Sequence, residues 1–133
     1  MSAERATYLD SSAIVKLVMV EPESAALRRY VSRRRPMVSS ALARAEVARA
    51  LLPLGGQAVR RGAEVLRRLE LIRVSDRVLA AAGQLQPPEL GTLDAIHLAT
   101  ALELGRDLAR VVTYDERLRV AAVSVGCAVA APR

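Results

Sequence analysis

Residues 93–101 read LDAIHLATA. Asp94 and His97 stand one helical turn apart in a stretch that is otherwise small or apolar. The run continues from Thr92 to Leu104 without strand-like alternation, and Gly105 ends it. That pattern predicts a helix. No Lys or Arg lies within a helical turn of Asp94, and the nearest along the chain is Arg106. A carboxylate set against an apolar helix costs free energy unless something offsets its charge. An exposed helix cap is one resolution and a bound cation is the other.

Outward from this helix, short apolar runs alternate with helical ones. On its C-terminal side come a strand over Arg110–Thr113, a helix over Glu116–Val123 and a final strand over Cys127–Ala130. On its N-terminal side Pro87, Pro88 and Gly91 make a loop, preceded by a helix over Asp76–Leu85 and a strand over Leu71–Ser75. Further back lie a helix over Gln57–Leu69 with arginine pairs on its outer face, and a strand over Met37–Ser39. Between those two comes a helix over Ala41–Leu52, stopped by Pro53 and the Gly55-Gly56 pair. The chain opens with a strand ending over Thr7–Asp10, a helix over Ser12–Val20 capped by Ser11 or Ser12, and a helix from Pro22 to about Arg34. Short strands alternating with helices imply an α/β fold: a five-stranded parallel sheet covered on both faces, in three α/β/α layers. Right-handed crossovers then place every strand's C-terminal end, and the start of each following helix, on one edge. Ligands of such sheets sit at that edge, where the strand order reverses.

Composition narrows the class. The 133 residues fit one domain over 1–133, with a core that is aliphatic because Phe and Trp are absent. A single Cys, Cys127, allows no internal disulfide, and no apolar run approaches a membrane span. With an N-terminus, MSAERATYLD, that is acidic too early for a secretion signal, the expectation is a cytoplasmic protein. The net charge of +6 is carried almost wholly by arginine, Lys16 being the only lysine. Arginines cluster at 28–29, 33–35, 60–61 and 67–68, which suits a polyphosphate partner held by phosphate contacts rather than by aromatic stacking.

The acids fall into one pattern. Asp10 ends the first strand, Glu46 lies in the second turn of the helix after the second strand, Asp94 opens the central helix and Asp115 follows the fourth strand. All four belong to the same sheet edge. Each alone reads as a cap or a first-turn acid, and Glu46 as a partner of Arg49. Three details weigh against that. Ser11 and Ser12 offer caps after Asp10, Thr92 offers one before Asp94, and Glu46 aligns with Leu42 and Ala50 on the apolar side of its helix. Two carboxylates about 5 Å apart repel by roughly 3 kcal/mol at an effective dielectric of about 20. A cluster of them calls for a cation, and an all-oxygen donor set selects Mg²⁺, with Mn²⁺ as substitute, over Zn²⁺. Such a site activates a water and holds a phosphoryl oxygen.

The stretches YLDSSAIVKL, VSSALARAEVARAL, LDAIHLATALELG and VVTYDERL, in this order and spacing, resemble a PIN domain, and most closely the VapC toxins of bacterial toxin–antitoxin pairs. The resemblance covers essentially the whole chain. It implies a Mg²⁺-dependent endoribonuclease, with structured RNA as the expected substrate, and a VapB-type antitoxin as partner; a homodimer is expected from the apolar surface of the first helix. It carries the acidic quartet onto Asp10, Glu46, Asp94 and Asp115, and the small hydroxyl residues beside the metal onto Ser12 and Thr113. One position departs from the family: Arg117 stands where many members carry a further acid, which weakens the case for a second metal. His97 reads as a helix residue packed near the site and hydrogen-bonded to an acid, not as a ligand.

Two other classes compete. An aspartyl-phosphate enzyme also ends its first strand with Asp, but a haloacid-dehalogenase-like chain wants a second Asp where Ser12 stands, and a receiver domain wants a late lysine. A PIN fold that only binds RNA or a partner would show an incomplete acid set. Finally, the helix over 12–20 is apolar on nearly every face apart from Lys16, which points to a second protein or a second copy covering it.

Overall fold

The computed structural model describes residues 5–133. Residues 1–4, on which the reading against a secretion signal partly rests, lie outside them. Strands β1 (Ala6–Leu9), β2 (Met37–Ser40), β3 (Glu70–Ile72), β4 (Leu108–Val112) and β5 (Val129–Ala130) form one sheet in the order β3-β2-β1-β4-β5. Every pairing is parallel. The chain builds outward from β1 through β2 to β3, then returns to place β4 and β5 on the other side. The order therefore reverses between β1 and β4, and the crevice that a doubly wound sheet offers to ligands lies at their C-terminal ends.

The helices are α1 (Ser11–Val18), α2 (Ser24–Ser32), α3 (Ala43–Leu51), α4 (Gly56–Leu66), α5 (Asp76–Ala82), α6 (Thr92–Glu103) and α7 (Glu116–Ser124). On one face of the sheet Leu9 and Val112 pack with Ile14, Leu27, Val47 and Leu51 of α1 to α3. On the other, Leu98 of α6 packs with Val78 and Leu118, while Tyr8, Val38 and Val111 meet Ala101. Both faces are covered, and β1 and β2 are buried along their whole length, Thr7, Ser39 and Ser40 included. In α6 every residue from Ala95 to Ala101 is buried, so this helix is apolar all round because it is enclosed all round. Any polar group in it needs a partner inside the molecule.

Element edges moved where capping and pairing outweighed local pattern. Pro22 lies in a turn before α2, fixed by Ser24, whose Oγ accepts from the Glu21 N–H at 3.0 Å and donates to the carbonyl oxygen of Lys16 at 2.7 Å. Strand pairing starts at Leu108 rather than Arg110, and β3 covers Glu70–Ile72 rather than Leu71–Ser75. Helix α3 starts at Ala43, which moves Glu46 from the expected second turn into the first. The unbroken apolar surface of the first helix also has an internal cause. Helix α1 packs against α2, α3 and α4 of its own chain, and Lys16 is taken up by Glu21 and Glu23 at 2.6 and 3.1 Å. Ala13, Ile14 and Val18 are buried by the fold while Val15 and Leu17 stay half-buried, so the missing polar stripe has a partly internal cause.

Candidate active site

The C-terminal edge of the sheet collects the acids. Asp10 follows β1 directly, is 3% exposed, and is the N-cap of α1. Its Oδ1 accepts from the Ala13 N–H at 3.0 Å and from Ser12 Oγ at 2.7 Å. Its Oδ2 accepts from Thr113 Oγ1 at 2.5 Å. Thr113, one residue beyond β4, also accepts from the Asp115 N–H at 3.0 Å, and Ser12 Oγ accepts from the Tyr114 N–H at 3.2 Å. The two hydroxyls thus tie the ends of β1 and β4 together around one carboxylate. Burial pushes the Asp10 carboxyl above its ordinary range, against the pull of the Thr113, Ser12 and Ala13 hydrogen bonds.

Asp115 caps α7, its Oδ1 accepting from the Leu118 N–H at 3.0 Å. Asp94 sits in the first turn of α6, where the N-cap is Gly91 and supplies no capping side chain. The capping expectations therefore reverse. Asp10 and Asp115 are caps, while Ser11, Ser12 and Thr92 are not. Each aspartate cap stands at a strand end facing the next helix start, which satisfies backbone donors and sets a carboxylate at the crevice in one stroke. Asp94 has no such role. Its carboxyl is raised by burial, then by the charges of Asp115 and Asp10, with His97 pulling the other way and Glu46 adding to the rise.

Glu46 does not pair with Arg49. Its Oε1 accepts from Ser11 Oγ at 2.6 Å and lies 2.6 Å from His97 Nε2. Behind His97, the Tyr8 hydroxyl meets Nδ1 at 2.7 Å. Burial pushes Glu46 up, but the hydrogen bonds of His97 and Ser11 outweigh it and leave the carboxyl below its usual range. Tyr8 and Ser11 are the residues that sequence reasoning left out of the site, while His97 stands as expected, packed near it and hydrogen-bonded to an acid, Glu46. The signal for His97 was present: three residues after Asp94, it shares a helix face with it. For Ser11 and Tyr8 no local signal existed, because their partner Glu46 is brought in by another helix.

Among the described residues no Lys or Arg forms an ion pair with Asp10, Glu46, Asp94 or Asp115. Nor, among them, do three acidic, His or Cys side chains close into a ready-made metal cage. What the edge offers is an all-oxygen donor set in which Asp94 is already disfavoured by its neighbours' charges. That is the chemistry a hard divalent cation relieves, so the residues present fit Mg²⁺ or Mn²⁺. They fit an aspartyl-phosphate receiver poorly, since the only lysine, Lys16, is taken up by Glu21 and Glu23 rather than set beside Asp10. An open cavity of about 380 Å³ runs from Ser11, Ser12 and Glu46 along Val15 and Ala50. A depression of about 410 Å³ between α5 and α6 has no charged residue in its lining.

The sequence profile of the PIN domain matches residues 7–124. The chain belongs to the PIN-domain family. Within it, the chain is 63% identical over 127 residues to Ribonuclease VapC46 of Mycobacterium tuberculosis, covering 96% of this chain and 98% of that protein. It is 38% identical over 129 residues to Ribonuclease VapC35 of the same species, covering 94% of this chain and 96% of the relative. Among solved structures, the crystal structure of M. tuberculosis VapC20, described as a sarcin–ricin loop cleaving toxin, superposes with a TM-score of 0.75 at 15% identity. It covers 95% of this chain and 99% of that one. A toxin–antitoxin complex from Klebsiella pneumoniae superposes with a TM-score of 0.72 at 19% identity, covering 96% and 98% of the two chains. At those identities the two structures attest the fold, a three-layer PIN domain. The Arg117 departure lies in the first turn of α7, beside the Asp115 cap.

Proposed function

We propose that this PIN domain is the ribonuclease toxin of a toxin–antitoxin pair and hydrolyses phosphodiester bonds of structured RNA, with Asp10, Glu46, Asp94 and Asp115 holding Mg²⁺. The observation that carries the reading is the crevice between β1 and β4. There Asp94 feels the charges of Asp115, Asp10 and Glu46, and among the described residues no Lys or Arg forms an ion pair with any of the four. The relationship to Ribonuclease VapC46 at 63% identity supports it. Ser12 and Thr113 donate to Asp10, and Ser11 donates to Glu46. When bound, the cation supplies charge for a phosphoryl oxygen and lowers the pKa of a water. The chain's own side chains do not supply the acid–base pair that attack by a ribose 2′-hydroxyl needs. The single histidine is 2% exposed and held at both ring nitrogens. Hydrolysis by water therefore leaves a 5′-phosphate and a 3′-hydroxyl.

The partner in this reading is a VapB-type antitoxin, acting with the toxin in the cytoplasm. A cationic side chain delivered to the acid edge competes with Mg²⁺ and pairs with the carboxylates. The cavity along Val15 and Ala50 offers apolar footing beside Glu46. Exposed apolar side chains elsewhere, such as Leu52 and Leu54 at 58% and 56%, are the surface a homodimer uses, which sedimentation across a concentration series tests. Purified chain incubated with a hairpin RNA tests the activity: cleavage that requires Mg²⁺ and ceases on adding antitoxin is the expected result, and no cleavage in Mg²⁺ or Mn²⁺ overturns it.

A further inference from the structure

Helix α6 carries more than Asp94 into the site. One turn on, His97 is buried in a helix whose neighbours are all apolar or small, and its ring is bonded at both ends. Glu46 is ionised and can only accept, so His97 Nε2 carries the proton toward it, and on the far side of the ring Nδ1 meets the Tyr8 hydroxyl at 2.7 Å. The Tyr8 hydroxyl remains protonated because burial pushes it well above its ordinary range. Tyr8 also braces the ring edge-on, with centroids 5.9 Å apart and planes at 75°. Three elements are thereby joined in one chain of bonds: β1 through Tyr8, α6 through His97 and α3 through Glu46. Ser11 Oγ donates to the same oxygen of Glu46 that His97 reaches, at 2.6 Å in both cases. Oε1 is therefore doubly engaged, and among the described residues Oε2 has no such bond.

We propose that His97 is a positioning residue: held by Tyr8, it fixes the Glu46 carboxylate in one orientation, with Oε1 occupied and Oε2 left to ligate the divalent cation. The proposal rests on the assignment of Glu46 to the metal site made above. Partners that orient a ligand from behind are worth about 10–100-fold in metal affinity. A histidine that only fills the core gives a different result, because its loss then affects stability without reference to Glu46.

Mn²⁺ binding to the full chain, read as loss of the free Mn²⁺ paramagnetic signal, separates the two. His97→Ala should weaken Mn²⁺ about 10–100-fold. His97→Gln, which restores a donor near Nε2, should recover most of that affinity. In a Glu46→Gln background, His97→Ala should change Mn²⁺ affinity by less than about twofold, since the group it positions is gone. Should His97→Ala fold poorly, Tyr8→Phe removes one hydroxyl only and should still weaken Mn²⁺ severalfold in the native background and not in Glu46→Gln. Equal losses in both backgrounds, or Mn²⁺ affinity unchanged by His97→Ala and Tyr8→Phe, would overturn the proposal. Unchanged affinity in Glu46→Gln itself would instead remove Glu46 from the metal site, and with it the reading on which the proposal rests.

Discussion

Asp94 and Asp10 share a predicament that their positions impose: both carboxyls are raised, Asp10 by burial and Asp94 by burial plus the charges of Asp115 and Asp10. A raised acid binds its proton more tightly in the folded chain than in the unfolded one, so its ionisation weakens the fold. Metal-free protein should accordingly gain stability as pH falls from neutrality through the raised values of Asp94 and Asp10. Glu46 acts oppositely. Its carboxyl is lowered, so its contribution is present above the ordinary glutamate range and is lost on acidification below it. Urea denaturation across a pH series should show the gain first and the loss at more acid pH, and a midpoint that only falls on acidification would contradict the charge cluster. Asp94→Asn should cut cleavage by more than a hundredfold, beyond the ~10–100-fold that outer partners are worth. The same variant should raise the metal-free melting temperature, measured by calorimetry, because it relieves repulsion. Thr113→Val should lower stability by about 1–3 kcal/mol at neutral pH by stripping a donor from buried Asp10.

Elements were more legible than the contacts between them. The apolar strands and the long unalternating run of α6 identify a buried parallel sheet, because strands covered on both faces need no polar alternation. Spacing told less at α1, where α2, α3 and α4 cover part of the apolar surface and Val15 and Leu17 stay half-buried. Sequence spacing tells how apolar a helix is, and not which later helix returns to meet it. The difference is measurable. Ile14→Ala, at a fully buried position of α1, should cost about 2–5 kcal/mol in chemical denaturation. Val20→Asp, at a position 91% exposed just past the helix, should cost less than about 0.5 kcal/mol. Equal costs at the two positions would place α1 on the surface after all. Caps were misassigned for a related reason: a serine beside an aspartate satisfies the same backbone donors in principle. Here the aspartate takes the cap because Ser12 is needed to donate to it.

Across the whole molecule the topology distributes arginines between the two ends of the sheet. Arg33–Arg35 precede β2, and Arg5, which donates to the carbonyl of Arg106 at 3.1 Å, precedes β1. In a parallel sheet these positions lie at the edge opposite the acids. Arg44 and Arg117, at the starts of α3 and α7, lie at the acid edge itself. With a net charge of +6, RNA affinity should fall steeply with salt, and filter binding should show it. Charge reversal at Arg44 or Arg117 should weaken binding more than reversal of the Arg33–Arg35 run; the opposite ranking would move the RNA away from the acid edge. The acids themselves were readable because each follows a strand or opens a helix at fixed chain positions. The Tyr8–His97–Glu46 chain was not, since it joins residues 51 and 89 positions apart. The most direct measurement is end-group analysis of a hairpin RNA treated with purified chain in Mg²⁺, with Asp94→Asn as control. Products with 5′-phosphate and 3′-hydroxyl ends, absent with chelator and absent from the variant, are the predicted result. Cleavage that survives chelation or Asp94→Asn, or that leaves 2′,3′-cyclic phosphates, would contradict a metal-held acid site.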